Sequence, residues 1–438
     1  MAAVSPVSNA STQPERAADF IDSIGVNIHL GKPSYGQSVI MADMAYLGLN
    51  NLRNHAIGPK TPPSQVRVFE GLATAGMKFD WLTGGPLSAT LSRLDTFLAA
   101  NPRSIAAIEG PNEVNNFPVT HDGLIGAGAA VAYQADLSAG VRADPLTASI
   151  PVLNFTDWPS VAGAADAANG HVYPKAGSQP FSTLAAAVDS LGRLMPGKPV
   201  YLTEAGYFTL PGRHGWEGVD DLTQAKLTLN LAMDAARLKV IRLYLYDLID
   251  DDVDPSRSIA GDHFGLFTLG GQAKPSAIAL HNLTTILGDS SSSAGSFSPA
   301  AMNYTVTGLP ASGNGLVIEK ASGIYDLVVW SEPNIWSART NTPVKAPTKA
   351  IVVRFGTLFA QASVFDPLSS PTPIQTIKNA DAVTIAVTDH PLIIQVSNFA
   401  QARVSFGAPL SARPRDPTAA AATAHPATRL SAGGTGSD

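Results

Sequence analysis

Two glutamates stand in settings suited to acid–base or nucleophilic chemistry. Glu113 closes the segment Glu109-Gly-Pro-Asn112-Glu113, and Glu204 lies in Thr203-Glu204-Ala-Gly206. Each follows an apolar, β-rich run, each has glycine or proline beside it, and 91 residues separate the two. Two carboxyl groups held ~5–5.5 Å apart can carry a double displacement at an acetal carbon. One attacks the carbon and forms a covalent intermediate. The other protonates the leaving oxygen and then takes a proton from incoming water. The acid of such a pair needs a raised pKa, and a neighbouring anion helps to supply it. Other chemistries have weaker support. There are no cysteines, which excludes a thiol nucleophile, a thiolate zinc site and a disulfide scaffold. His29, His55 and His171 lack the helix-spaced pairing of a His-Glu-x-x-His zinc site, so no metal or cofactor is expected. A Schiff-base enzyme would need a lysine at a strand end, and Lys78 and Lys175, the nearest, have no evident partner.

The elements that must position these groups can be read from periodicity. Short β-rich runs fall at 24–30, 49–55, 77–83, 105–113, 148–155, 169–174, 199–206 and 241–247. Amphipathic stretches lie between them, with Ile40, Met44 and Leu47 at i, i+4, i+7 and Leu184, Val188, Leu191 and Met195 repeating the stripe. Thr61 followed by Pro62 reads as the start of the second helix, and Gly76 marks its end. Eight strand–helix units within about 270 residues predict a (β/α)₈ TIM barrel spanning 19–287. An open doubly wound sheet would carry a glycine-rich phosphate turn after its first strand, and NIHLGKPSYG is a poor one. In a barrel of this kind active sites lie at the C-terminal ends of the strands. Glu113 ends the fourth strand and Glu204 the seventh, so both belong to one rim.

At this point the chain resembles the clan A glycoside hydrolases, including members like families 39 and 5. EGPNE at 109–113 is similar to their fourth-strand ending Glu-x-x-Asn-Glu, and TEAG at 203–206 to their seventh-strand ending Thr-Glu-x-Gly. The resemblance implies that Glu113 is the acid/base, Glu204 the nucleophile, and Asn112 a ligand of the sugar 2-hydroxyl. It also implies that His171-Val-Tyr173 fills the sixth-strand His-x-Tyr, with Tyr173 on the nucleophile, and that Arg53 is the second-strand arginine that keeps Glu204 ionised. Many members have a tryptophan on the eighth strand under the cleaved sugar. RLYLYDLIDD offers Tyr244 or Tyr246 in its place. The implied activity is retaining hydrolysis of β-glycosidic bonds in an oligo- or polysaccharide.

Further candidates surround this pair. Glu109 is expected to brace the strand end. Asn27 and His29, ending the first strand, and His55 are candidates for sugar binding or for rim packing. Flat aromatic rings suit sugar faces. Trp216, in the glycine-rich PGRHGWEG, is the favoured platform, Trp158 is another candidate, and Trp81 reads as core. The acidic run Asp250-Asp251-Asp252-Val-Asp254 reads as a solvated loop without EF-hand spacing.

Composition sets the remaining bounds. The chain has 438 residues, 45% hydrophobic and 15% charged, with a net charge of −6 and no basic stripe. That is a two-domain globular composition with no nucleic-acid partner expected. No apolar run approaches the ~18 residues of a membrane span, so no membrane insertion is expected. A secreted or periplasmic setting is the expectation, although MAAVSPVSNASTQPERAADF lacks the charged start and apolar run of a signal peptide. Residues 1–18 are expected to be flexible, 288–405 to form an antiparallel β-sandwich domain that braces the barrel, and 406–438, rich in Ala, Pro and Gly, to be disordered. The competing function is a non-catalytic carbohydrate-binding or matrix protein on a degenerate barrel, which would be expected to have lost one of the two carboxylates.

Overall fold

A computed structural model describes residues 8–212 and 218–398, with only the backbone described for 8–12. Eight parallel strands form the barrel: β1 (Ile24–Asn27), β2 (Asn51–His55), β3 (Lys78–Leu82), β4 (Ile105–Glu109), β5 (Val152–Leu153), β6 (Ala168–Val172), β7 (Val200–Ala205) and β8 (Arg242–Leu245). They pair in chain order, and β8 returns to β1. A parallel bridge between Leu153 and Ala167 joins the β5 and β6 edges. The strands are buried on both faces, and β1, β7 and β8 have no accessible position. This is why they read as near-continuous apolar runs and not as alternating ones.

Seven helices cover the barrel: Gln37–Leu47, Pro63–Thr74, Leu87–Ala100, Ala127–Ala143, Phe181–Leu194, Asp221–Arg237 and Pro275–Leu287. The expected eighth is absent. Residues 154–167 return from β5 to β6 without a helix, a span near the minimum of about a dozen residues for a parallel crossover. The second helix starts one residue later than its sequence suggests, at Pro63, with Pro62 as N-cap. The Thr61 hydroxyl accepts from the Gly58 amide instead.

The second domain is β-sandwich-like. Its strands are β9 (Met302–Thr307), β10 (Gly313–Glu319), β11 (Tyr325–Ser331), β12 (Lys349–Asp366), β13 (Ser370–Val387) and β14 (Leu392–Ser397). Register shifts interrupt β12 between Arg354 and Phe359. Its first part pairs with β9 and its second with β14, so one sheet folds over on itself around Val317, Leu327, Ile351 and Ile394. Lys349–Asp366 is thus one interrupted strand shared by both halves of the sheet. The polar first half of β13 gives no apolar signal and is paired all the same. The opposite face, with Ile318, Val328, Trp330 and Ile393, joins the core of the barrel.

Part of the segment expected to be flexible is paired. Ser8–Thr12 pairs antiparallel with β9, and Glu15–Arg16 pairs parallel with β10. The expected disorder of 406–438 lies outside the described residues. No described helix is long and apolar enough to cross a membrane.

Candidate active site

The register of the barrel strands brings the site together. Asn27 pairs with Arg53 across β1 and β2. His171 pairs with Glu204 across β6 and β7, at a register shift after Gly170. Arg53 is buried at the centre and uses every N–H of its guanidinium. It donates to both Glu109 oxygens at 2.6 and 2.9 Å, to Asn27 Oδ1 at 2.9 Å, to Asn112 Oδ1 at 2.8 Å and to Glu204 Oε1 at 2.6 Å. A planar fork with five donors is what such a hub requires. Glu109 also accepts from Asn169 and Thr203, so its bracing role is borne by three partners.

Glu204 is buried at the end of β7. Its Oε2 accepts from the Tyr173 hydroxyl at 2.6 Å and lies 3.5 Å from His171 Nδ1. Desolvation pushes this carboxyl up. The charges of His171 and Arg53, with the hydrogen bonds from Tyr173 and Arg53, outweigh it and hold the pKa at about 2.

Glu113 is half-exposed on the loop after β4, in the left-handed region with φ 39°. The surroundings fix that conformation. Its N–H donates to Thr156 Oγ1 at 2.8 Å, and its carbonyl accepts from the amides of Asn116 and Phe117. Its carboxylate lies 2.8 Å from His171 Nδ1 and accepts from Asn116 Nδ2 at 2.9 Å. The His171 hydrogen bond lowers its pKa and outweighs burial and the repulsion of Glu204. The raised value expected of the acid is therefore not met in the free chain. One carboxylate oxygen of Glu113, one of Glu204 and a ring nitrogen of His171 lie within 4.8 Å of one another.

These groups open into a cleft of about 1320 Å³ that runs from Glu204 and Tyr246 over the loops after β1 to β4. Asn112 lines it. With its amide oxygen held by Arg53, the NH₂ is left to face the cleft. Tyr246 lines it too, its ring edge-on to Tyr173 and Phe264. Tyr244 does not, being buried inside the barrel against Gly25. His29 and His55 line the cleft, and His29 Nδ1 lies 2.6 Å from Asp251. Asn27, a candidate for sugar binding or for rim packing, also lines the cleft. Its NH₂ donates to the carbonyls of Thr203 and Leu245 and its oxygen accepts from Arg53, so its polar atoms orient the site from below. Trp81 is core, and Trp216 lies outside the described residues. The acidic loop is not simply solvated: Lys274 pairs with Asp250, Lys32 with Asp251 and Asp252, and the Asp254 carboxylate accepts from the amide of Ile259.

Thr156 and Asn116 are contacts that sequence reasoning misses. Nothing in their local pattern separates them from other loop residues. Among the described residues three clusters bring potential metal ligands within 4.8 Å: Glu113/His171/Glu204, His29/Asp247/Asp251 and the exposed His121/Asp122/Asp136. In the first two a protein cation, Arg53 or Lys32, already sits on a carboxylate.

Comparison with known proteins follows the architecture. No protein-family model matches the chain, and no curated protein matches it. Among solved structures, a glucosidase from Croceicoccus marinus covers 90% of this chain and 99% of its own, with a TM-score of 0.60 at 10% identity. A glycoside hydrolase family 17 beta-1,3-glucanosyltransferase from Rhizomucor miehei covers 57% of this chain and 95% of its own, with a TM-score of 0.46 at 16% identity. An endo-laminarinase from Formosa Hel1_33_131 covers 59% and 87%, with a TM-score of 0.44 at 13% identity. The chain shares its barrel and β-sandwich-like fold with that glucosidase.

Proposed function

We propose that this protein is a retaining glycoside hydrolase that cleaves β-glycosidic bonds in an oligo- or polysaccharide, with Glu204 as nucleophile and Glu113 as acid/base. The observation that carries this reading is the asymmetry of the pair. Oxygens of the two carboxyl groups approach within 4.8 Å of each other, so both can act on one glycosidic bond. Glu204 is buried and held anionic by Arg53 and Tyr173, whereas Glu113 is half-exposed at the cleft. The glycosidase-like fold adds support at the level of the reaction class.

In this reading a Glu204 oxygen attacks the anomeric carbon as the glycosidic bond breaks, and the leaving oxygen takes the Glu113 proton. Substrate displaces water from around Glu113, which raises its pKa for that step. Forming the ester removes the Glu204 charge that repels Glu113. Glu113 then becomes a better anion, ready to deprotonate water. Water attacks the anomeric carbon, and Glu204 leaves as carboxylate.

Azide rescue tests the assignment. Glu204→Ala should abolish hydrolysis. Glu113→Ala should lose most of its rate on natural glycans but still release an activated aryl group, and azide should restore its turnover with a β-glycosyl azide as product. Azide rescue of Glu204→Ala should give the opposite anomer. Identical products from the two variants, or full glycan activity in Glu113→Ala, would overturn the assignment.

A further inference from the structure

We propose that His121, Asp122 and Asp136 form a binding site for a zinc ion, which clamps a hairpin beside the cleft to the helix Ala127–Ala143. The proposal is independent of the catalytic assignment.

Local sequence builds the site. Thr120–His121 and Leu124–Ile125 pair antiparallel, with His121 opposite Leu124. The turn between them is Asp122-Gly123, with positive φ of 49° and 77°, as a two-residue hairpin turn of this kind requires. The Gly126 N–H donates to the Val119 carbonyl at 2.9 Å and closes the base of the hairpin. The helix Ala127–Ala143 starts directly after it, so the hairpin folds back on its own helix. The His121 ring meets Tyr133 edge-on, with centroids 5.3 Å apart. Asp136 lies three residues beyond Tyr133 and is its neighbour on the helix surface. The ring that packs on Tyr133 therefore delivers its Nε2 to Asp136, 2.8 Å from Oδ2. Asp122 Oδ2 stands 3.8 Å from the same nitrogen.

The donor set suits zinc. One ligand atom from each residue lies within 4.8 Å of the other two. At the ~2.0–2.2 Å bond lengths of tetrahedral zinc, ligand atoms stand about 3.3–3.6 Å apart, and 2.8 and 3.8 Å bracket that spacing. Small rotations of the aspartate side chains, 72% exposed for Asp122 and 55% for Asp136, close the difference. Two carboxylates neutralise a divalent ion, the imidazole supplies a nitrogen, and water completes the shell. The ring then carries its proton on Nδ1, so Nε2 offers its lone pair to the ion. Calcium takes about six to eight oxygens and is poorly served by this set.

This cluster also differs from the other two. Arg53 and Lys32 sit on their carboxylates. Among the described residues, no lysine or arginine pairs with Asp122 or Asp136, and His121 is their shared partner. The hairpin needs anchorage as well, because its apolar side chains Leu124 and Ile125 are exposed. A bound ion supplies by coordination what so small an element lacks in core. Val119 and Thr120 line the cleft, so the same clamp fixes that wall.

Calorimetric titration of the metal-stripped full chain with zinc tests this. The parent should bind zinc at micromolar concentration, and His121→Ala should bind one equivalent fewer. Losing even an outer partner of a ligand commonly costs 10–100-fold in metal affinity. Asp122→Asn removes a direct ligand and should weaken this site at least roughly tenfold. It keeps the turn, since Asn-Gly suits it equally, so misfolding cannot account for the loss. Zinc held at Glu113, His171 and Glu204 stays in both variants and cancels in the comparison with the parent. Zinc should also slow chymotrypsin cleavage after Leu124 in the parent and not in His121→Ala. No zinc bound by the parent below millimolar concentration, or equal stoichiometry and affinity in all three chains, overturns the site. So does calcium binding there as tightly as zinc. Cleavage at Leu124 that ignores zinc overturns the clamp.

Discussion

At the scale of single residues, the site is one cation shared among acids. Arg53 joins Glu109, Asn112, Asn27 and Glu204, so the charge and direction of Glu204 are set by the same group. Glu204 titrates at about 2, and it should stay ionised well below its ordinary value of 4.5. Tyr173→Phe removes a donor to the charged form. The Glu204 pKa should rise, and the acidic limb of the kcat/KM profile should move up by roughly one unit. His171→Ala should act on the other limb. Without the His171 hydrogen bond, burial and the repulsion of Glu204 raise the Glu113 pKa. The acid form then persists to higher pH, and the basic limb should move upward. A basic limb that stays in place or falls would disconnect His171 from Glu113. The groups of this network were legible as strand-end residues in two short motifs and a handful of polar neighbours. Their division of labour was not. Asn27 and His29 have similar sequence settings and both line the cleft, yet the Asn27 amide is also held by protein partners, which depends on atoms from β7 and β8.

At the scale of elements, the glycines of both motifs have packing reasons. A Cβ at Gly110 would collide with Gln134 Oε1 and come within 2.9 Å of Phe155, while one at Gly206 would run into the Tyr246 carbonyl. Gly110→Ala should therefore lower stability by about 1–3 kcal/mol and displace the Glu113 loop. Thermal unfolding together with kcat on an aryl glycoside would show both. Seven of the eight barrel strands lie inside the expected runs and the other, Ala168–Val172, begins one residue before its run, since strands buried on both faces announce themselves by composition. The missed features are those without an apolar signal: the helix-free return after β5, the polar half of β13, and the N-terminal strands. Their pairing is decided by the partner edge and not by their own side chains.

At the scale of the molecule, barrel and sandwich share a core, and one contact there titrates. Asp234, on the helix Asp221–Arg237, is buried beside Glu332, which follows β11. Burial first, and then the Glu332 charge, push its pKa up to about 9. An unfolded chain would titrate it near 3.8. A carboxyl with a raised folded pKa favours the folded state fully below 3.8, and that contribution is lost as pH rises toward about 9. Asp234→Asn should thus flatten the fall in stability across that window and raise the midpoint of thermal unfolding at pH 8 relative to the parent. A variant with the parent's pH slope would show that Asp234 does not set it.

The pairing of the N-terminal strands has a consequence for synthesis. Ser8–Thr12 has no strand to join until Met302–Thr307 has left the ribosome. Roughly 290 residues of translation intervene, or about 15–60 s at the usual rates of ~5–20 residues per second. Throughout that time the barrel can close, while Ser8–Thr12 and Glu15–Arg16 wait for β9 and β10. That sheet is therefore completed by strands made long before it, and a chain stalled before residue 302 leaves Ser8–Thr12 unpaired.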